Sequence, residues 1–289
     1  MNRLRPSALF VLPLVFALVA PAETALESAV ALAHAHQLAP AREALRKIVA
    51  AEPQNAEAHF QLGLVADQLG ANDEAISELE RATSLAPTRS NYFVELGGAY
   101  GNAAQNAGIF SKLGWARKCQ AAFEKAVQLD PDNLGARNAL VSYYRQAPSI
   151  AGGGMDKAYE QAGEIKQRDP LAGAAVLGQL YLAEKKVDQA FATYDDALKI
   201  APDNYALLYG IGRAAAQTGL HLDRGEEALR RCLTLEPAPD QPGHAPVQWR
   251  LGNIAEKRGD PAAARAAYEA AVKLDPNFKQ AAAALAKLK

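Results

Sequence analysis

Between residues 56 and 87 the chain reads AEAHFQLGLVADQLGANDEAISELERATSLAP, and its small and apolar positions return at intervals of three and four. Ala75, Leu79 and Ala82 stand twelve, eight and five residues before Pro87, a spacing that puts them on one face of a helix. The same triplet precedes a series of prolines. Ala41, Leu45 and Ile48 lead to Pro53; Cys119, Phe123 and Ala126 to Pro131; Ala158, Ala162 and Ile165 to Pro170. Ala190, Tyr194 and Ala197 lead to Pro202; Gly225, Leu229 and Cys232 to Pro237; Ala264, Tyr268 and Ala271 to Pro276. These prolines are separated by 34, 44, 39, 32, 35 and 39 residues. The intervals describe a period near 34, lengthened in places by insertions.

Each unit carries an earlier helix marked by Leu-Gly or a close variant: Leu62-Gly63, Leu96-Gly97, Leu140-Val141, Leu177-Gly178, Ile211-Gly212 and Leu251-Gly252. A glycine inside a helix costs about 1 kcal/mol relative to alanine, so its regular return calls for compensation, and close approach of the paired helix supplies it. The recurring proline cannot continue the helix before it but can begin the next turn. One such hairpin cannot bury its own apolar stripe, whereas stacked neighbours share a continuous core.

This period and these signatures resemble the tetratricopeptide repeat, from about residue 25 to Pro276, followed by a capping segment NFKQAAAALAKLK. The first unit is the weakest match, with Ala29 where the glycine falls. The resemblance implies an all-α chain, a right-handed α-solenoid of about seven helical hairpins plus a C-terminal capping helix. It further implies that first helices line a concave groove, which takes a peptide or another helix, and that second helices build the outer surface. In that family a Lys-Asn-Lys-Arg clamp grips terminal carboxylates, and no full version of it stands in this sequence. The chain also resembles a group of exported bacterial repeat proteins in which IFSKLG, QAPSIAGG and LDRGEEALRRCL occupy similarly interrupted units.

The N-terminus adds a location. Arg3 and Arg5 precede the apolar run ALFVLPLVFALVA and then Ala20-Pro21-Ala22, the order of parts in a secretory signal peptide. The run is shorter than the roughly 20 residues of a membrane span. Residues 1–22 therefore read as a signal peptide and 23–289 as one solenoid, periplasmic or secreted and without an integral span after cleavage. The whole chain has 31 Lys and Arg against 32 Asp and Glu. Loss of Arg3 and Arg5 makes it slightly more acidic, which argues against nucleic acid as a partner, since phosphate binding needs a concentrated positive field. The two cysteines, Cys119 and Cys232, take core-facing small-residue positions three repeats apart, so two buried free thiols are expected rather than a disulfide.

Three interruptions break the period, near 102–116, 147–155 and 238–244. In the first, Asn102, Asn106 and Gly108 suggest a turn or frayed helix end. Ile109, Phe110, Leu113 and Trp115 then form a short amphipathic run, which either packs locally on an extended second helix or presents Phe110 and Trp115 as a secondary contact for a partner or a second copy. In the second, Pro148 ends a helix, Gly152, Gly153 and Gly154 make the crossing, and Met155 or Asp156 opens the next helix. Its glycines lack the strand and the Lys-Ser or Lys-Thr of a phosphate cradle. The third, APDQPGHAP, reads as a rigid linker between hairpins.

Reactive chemistry is sparse. His34 and His36 are two apart and point in different directions on a helix, unlike a zinc-binding pair, and His59, His221 and His244 sit in separate units. No Ser-His-acid or Cys-His grouping is visible. The expectation is a non-enzyme with no cofactor and no metal. The candidate contacts are first-helix residues off the Leu-Gly face. Asn138, Ser142 and Arg145 form one set; Gln179 and Leu182, Tyr209 and Arg213, and Trp249, Asn253 and Glu256 form the others. Tyr209 and Trp249 offer apolar area with polar edges, Arg145 and Arg213 offer planar donors for carboxylates, and Asn138 and Asn253 suit a peptide backbone. The leading function is an exported scaffold binding a protein or peptide of unknown identity. The alternatives are an accessory subunit in the assembly of envelope polysaccharide or outer-membrane proteins, a groove-site enzyme, and a purely structural self-associating protein.

Overall fold

The computed structural model describes residues 24–239 and 241–288, without the side chains of Ile109 and Phe110. The signal-peptide reading of residues 1–22 and the contact assigned to the Phe110 side chain lie outside the described residues. Those residues form fifteen α-helices and no strand. They pair in sequence as α1 (Ala25–His34) with α2 (Leu38–Ala51), α3 (Ala56–Gln68) with α4 (Asn72–Leu85), and α5 (Ser90–Asn106) with α6 (Ile109–Leu129). There follow α7 (Leu134–Gln146) with α8 (Met155–Arg168), α9 (Pro170–Ala183) with α10 (Val187–Leu198), α11 (Tyr205–Thr218) with α12 (Leu222–Cys232), and α13 (His244–Lys257) with α14 (Pro261–Leu274). The helix α15 (Lys279–Lys287) closes the stack against α14. Seven hairpins and a cap thus build an α-solenoid.

The recurring glycine has the role its period implies. A Cβ at Gly63 would lie 2.6 Å from Leu79, at Gly97 2.4 Å from Phe123, at Gly178 2.2 Å from Tyr194, at Gly212 2.2 Å from Leu229 and at Gly252 2.3 Å from Tyr268. In these five hairpins one large side chain from the second helix therefore presses on the bare backbone of the first. The fourth hairpin reverses the sizes: Val141 replaces the glycine, and Ala162 stands where the others have a large residue, both inside the same core.

The recurring prolines stop each second helix and begin the segment that follows. Pro170 does open α9, with the Asp169 side chain accepting from the Leu171 and Ala172 amides. Pro53, Pro131 and Pro202 lie in the turn between hairpins, two residues before an N-cap asparagine. Asn55, Asn133 and Asn204 each accept a hydrogen bond from the amide three residues on, at 3.0, 2.9 and 3.1 Å, which satisfies a backbone donor that the helix leaves open. Thr24 and Glu27 form a capping box at the start of α1, a T-x-x-E signal visible in the sequence.

The first interruption holds a turn only at its centre, with Asn106 ending α5 and Gly108 preceding an extended second helix, α6. It lengthens both helices of the third hairpin, to 17 residues in α5 and 21 in α6, and only Ala107 and Gly108 separate them. Asn102 is helical and donates to Asp67 at 2.9 Å, so a tertiary partner holds it against its turn preference. Trp115 lies half-buried on the core with its ring 5.7 Å from that of Tyr100, and Lys118 Nζ covers both rings at 4.8 and 5.1 Å. In the second interruption a single 3-10 turn, Ser149–Ala151, and a left-handed Gly152 lead into α8 at Met155. The Tyr143 hydroxyl pins this crossing by donating to the Ala151 carbonyl. The third is only partly linker: His244 through Pro246 form the first turn of α13, and the Tyr205 hydroxyl donates to the Pro242 carbonyl at 2.6 Å.

Cys119 and Cys232 are both buried free thiols, and burial pushes each up to about 12. A thiol reacts as its thiolate, so neither is expected to label with a maleimide at pH 8 in the folded protein, while both label once it is denatured. Mass spectrometry of the labelled chain checks this, and native-state modification of either cysteine would contradict the packing.

Candidate functional site

Successive first helices touch one another, α1 with α3, α3 with α5, α5 with α7, α9 with α11 and α11 with α13. Among the described residues no pair of second helices makes contact of comparable extent. An array more closely spaced on one side bends toward that side, so the first helices line its inner face. The pair α7 and α9, which flanks the second interruption, falls outside this series.

The predicted contact residues divide into two groups on this face. Asn138, Ser142 and Arg145 on α7 and Gln179 on α9 are exposed. Tyr209 and Arg213 on α11 are half-buried, with Tyr209 resting on the apolar core of the fifth and sixth hairpins alongside Leu182. Among the described residues Arg145 and Arg213 have no carboxylate within ion-pair distance, although eight other arginines take part in such pairs and two more, Arg81 and Arg265, donate to backbone carbonyls. Arg42 and Arg46 with Glu74 and Arg224 with Asp195 bridge neighbouring hairpins, while Arg168 and Arg231 reach Asp132 and Asp203 in the turns that lead into their own hairpins.

Trp249 and Asn253 are engaged within the chain. The Trp249 ring meets Phe278 edge-on at 5.6 Å, carries the Arg250 guanidinium 4.3 Å from its centroid, and packs, as Leu285 and Leu288 of the C-terminal segment do, against the buried cluster of Ala255, Ala264 and Tyr268. Asn253 donates to the Tyr268 hydroxyl at 2.8 Å, and that hydroxyl in turn donates to Glu256. These residues tie the seventh hairpin together and seat its cap. The sequence could not separate this role from binding, because an aromatic with a polar edge suits a docking surface and a cap equally well.

One polar group on this face was missed. The Tyr194 side chain is 1% exposed, and its hydroxyl has no hydrogen-bond partner among the described residues. It lies between the two first helices α9 and α11, 2.6 Å from where a Cβ on Gly178 would stand and 3.7 Å from one on Gly210. Burial raises its pKa, and the neighbouring Arg213 guanidinium opposes that rise without meeting hydrogen-bond geometry.

Two cavities lie away from these residues. One of about 460 Å³ is walled by α12, α13 and α14, including Leu251, Ile254 and Arg258; another of about 640 Å³ is walled by α10, α11 and α12, including Asp195, Asp203 and Arg224. Their charged walls are paired: Arg224 with Asp195, Arg231 with Asp203, and Arg258 with Asp223 and Glu226.

Comparison with known proteins places this architecture. Sequence profiles of the tetratricopeptide repeat match residues 22–90, 107–133, 175–242 and 245–278. A peroxisomal targeting signal receptor of Kluyveromyces lactis is 24% identical over 206 residues, which are 70% of this chain and 34% of the receptor, so the chain spans about a third of that relative. Among solved structures, the yeast Tom70 superposes with a TM-score of 0.70 at 17% identity, over 97% of this chain and 59% of Tom70. A tetratricopeptide repeat protein of Parabacteroides merdae superposes with a TM-score of 0.62 at 16% identity, over 91% of this chain and 96% of that one.

Proposed function

Because the chain belongs to the tetratricopeptide repeat family, we propose that it is a non-catalytic scaffold that holds a protein or peptide segment on the inner face of its first helices, and that it acts outside the cytoplasm, in the periplasm or secreted. The observation that carries the binding reading is the row of exposed or half-buried polar side chains without partners on that face, Asn138, Arg145, Gln179 and Arg213, in a chain where eight other arginines are held in ion pairs. Unpaired planar donors beside a half-buried tyrosine are the composition that anchors a polypeptide ligand. The relative from Kluyveromyces lactis is by name a receptor for a targeting signal, which agrees with a peptide as the ligand. The extracytoplasmic location rests on the basic, apolar and small-residue order of residues 1–22.

A photoreactive phenylalanine analogue at Gln179, with a second protein carrying it at the exposed Ala192 of α10 as an outer-face control, tests the binding face in the living cell. One recurrent crosslinked protein from Gln179 and none from Ala192 is expected. Equal capture from both positions would move binding off the inner face. Fractionation of the same cells, with the N-terminal residue of the mature chain read by mass spectrometry, is expected to find it outside the cytoplasm and shortened near Ala22.

A further inference from the structure

The buried tyrosines of this chain follow a rule that Tyr194 breaks. Tyr92 donates to Glu57, Tyr100 to Glu80, Tyr144 to Glu124 and Tyr268 to Glu256, while Tyr143 and Tyr205 donate to backbone carbonyls. A buried hydroxyl without a partner loses its hydration with nothing in exchange, so a lone exception calls for a cause.

Comparison of two hairpins locates that cause. Tyr194 and Tyr268 occupy the same place in their units, each pressed against the glycine of its first helix, Gly178 and Gly252. In the seventh hairpin the residues one and four beyond that glycine are Asn253 and Glu256, and both bond the Tyr268 hydroxyl. In the fifth the corresponding residues are Gln179, which makes no such bond, and Leu182, which cannot accept one. The acceptor that the seventh hairpin supplies from its own chain is therefore missing in the fifth. Beside the gap stands Arg213, a guanidinium with no carboxylate of its own.

We infer that the Tyr194 hydroxyl and the Arg213 guanidinium form a carboxylate-binding subsite between α9 and α11, the position of the absent acid being filled by a carboxylate of the bound polypeptide. This rests on the peptide-binding reading above and deepens it. The hydroxyl donates one hydrogen bond and Arg213 one or two, an arrangement of converging donors that suits an anionic acceptor. The hydroxyl is sealed in the unliganded chain, so Arg213 swings outward as the ligand enters and then closes on the carboxylate. The carboxylate is either an Asp or Glu side chain or the chain-terminal group, since both present the same two oxygens.

A library of random ten-residue peptides, synthesised once with a free and once with an amidated C-terminus, is selected on the immobilised protein. The best peptide is then titrated by fluorescence anisotropy against the unaltered protein, Tyr194→Phe and Arg213→Gln. Enrichment of Asp or Glu at one fixed position in both libraries is expected if the source is a side chain, and loss of binding on amidation if it is the terminus. Tyr194→Phe weakens the selected peptide by roughly tenfold, and replacing the peptide's acid by its amide weakens it less in that variant than in the unaltered protein, because only the Arg213 contact is left to lose. Tyr194→Phe removes an unpaired group and melts no earlier than the unaltered protein, whereas Tyr268→Phe, which breaks two hydrogen bonds, melts earlier. Peptides that bind without an acidic preference, or that bind Tyr194→Phe equally well, overturn the subsite and leave the peptide-binding reading intact. A selection that retains no peptide overturns both.

Discussion

Phe123→Ala is expected to lower the free energy of unfolding by about 3–5 kcal/mol, the range for emptying a buried aromatic site. The ring is nearly buried and sits on Gly97 so closely that a methyl there would overlap it, at 2.4 Å. Both helices of this hairpin are the longest among the described residues, and the ring joins their middles to the core shared with Leu96, Leu140 and Tyr144. In a stacked array each unit is stabilised by its neighbours, so the loss is expected to appear first as faster amide exchange across α5, α6 and α7, and then as a lower midpoint in urea. Substitution of Gly97 by valine in the same chain is expected to recover roughly 1–2 kcal/mol, since two or three carbon atoms refill the space. The fourth hairpin already has this arrangement, with Val141 facing a helix that carries Ala162. In the otherwise unaltered chain Gly97→Val is destabilising, because its Cβ meets the ring. The two substitutions should therefore couple strongly with opposite sign, and simple additivity in the measured unfolding energies would refute the pairing.

The repeat was legible because its signals are local and recur: a three-place apolar stripe, a glycine about 16 residues earlier in the uninterrupted units, and a proline that stops each hairpin. Register across seven copies made each weak instance interpretable. What the sequence left open was long-range. Asn102 and Asn106 carry turn propensity, yet a hydrogen bond to Asp67, 35 residues earlier, keeps Asn102 helical. Trp249 carries the composition of an anchor, yet Phe278 and the capping segment occupy it. The recurring prolines end each hairpin as their pattern implies, but only Pro170 opens a helix, whereas Pro53, Pro131 and Pro202 stand in the turn two residues before an asparagine cap. The Tyr194 hydroxyl was hidden for a different reason. An apolar pattern scores tyrosine as a large core residue and ignores its oxygen, although aligning residues 178–182 with 252–256 places Leu182 opposite Glu256 and reveals the missing acceptor.

Two glycines in neighbouring helices should respond to the same substitution with opposite signs. Gly163 in α8 has no atom within 4 Å of its missing Cβ, so Gly163→Ala is expected to stabilise the chain by up to about 1 kcal/mol through helix propensity alone. Gly173 in α9 gains the same propensity, but its Cβ would stand 2.2 Å from Lys166 Cα and 2.6 Å from Lys166 N. Those are backbone atoms of α8 and cannot rotate away, so Gly173→Ala is expected to destabilise by about 1–3 kcal/mol net, with the two helices forced apart. Thermal melts of the two variants beside the unaltered protein decide the matter, and a stabilised Gly173→Ala would show that α8 and α9 are not in close contact. The junction matters beyond stability. Across the second interruption α7 and α9 make less direct contact than the other neighbouring first helices, so the spacing of Arg145 from Gln179 depends strongly on how α8 packs against α9. A wedge at Gly173 changes that spacing while leaving Tyr194 and Arg213 in place relative to each other. It should therefore weaken a ligand that spans both hairpins more than one held by the fifth and sixth alone, and lengthening the selected peptide toward α7 would expose the difference.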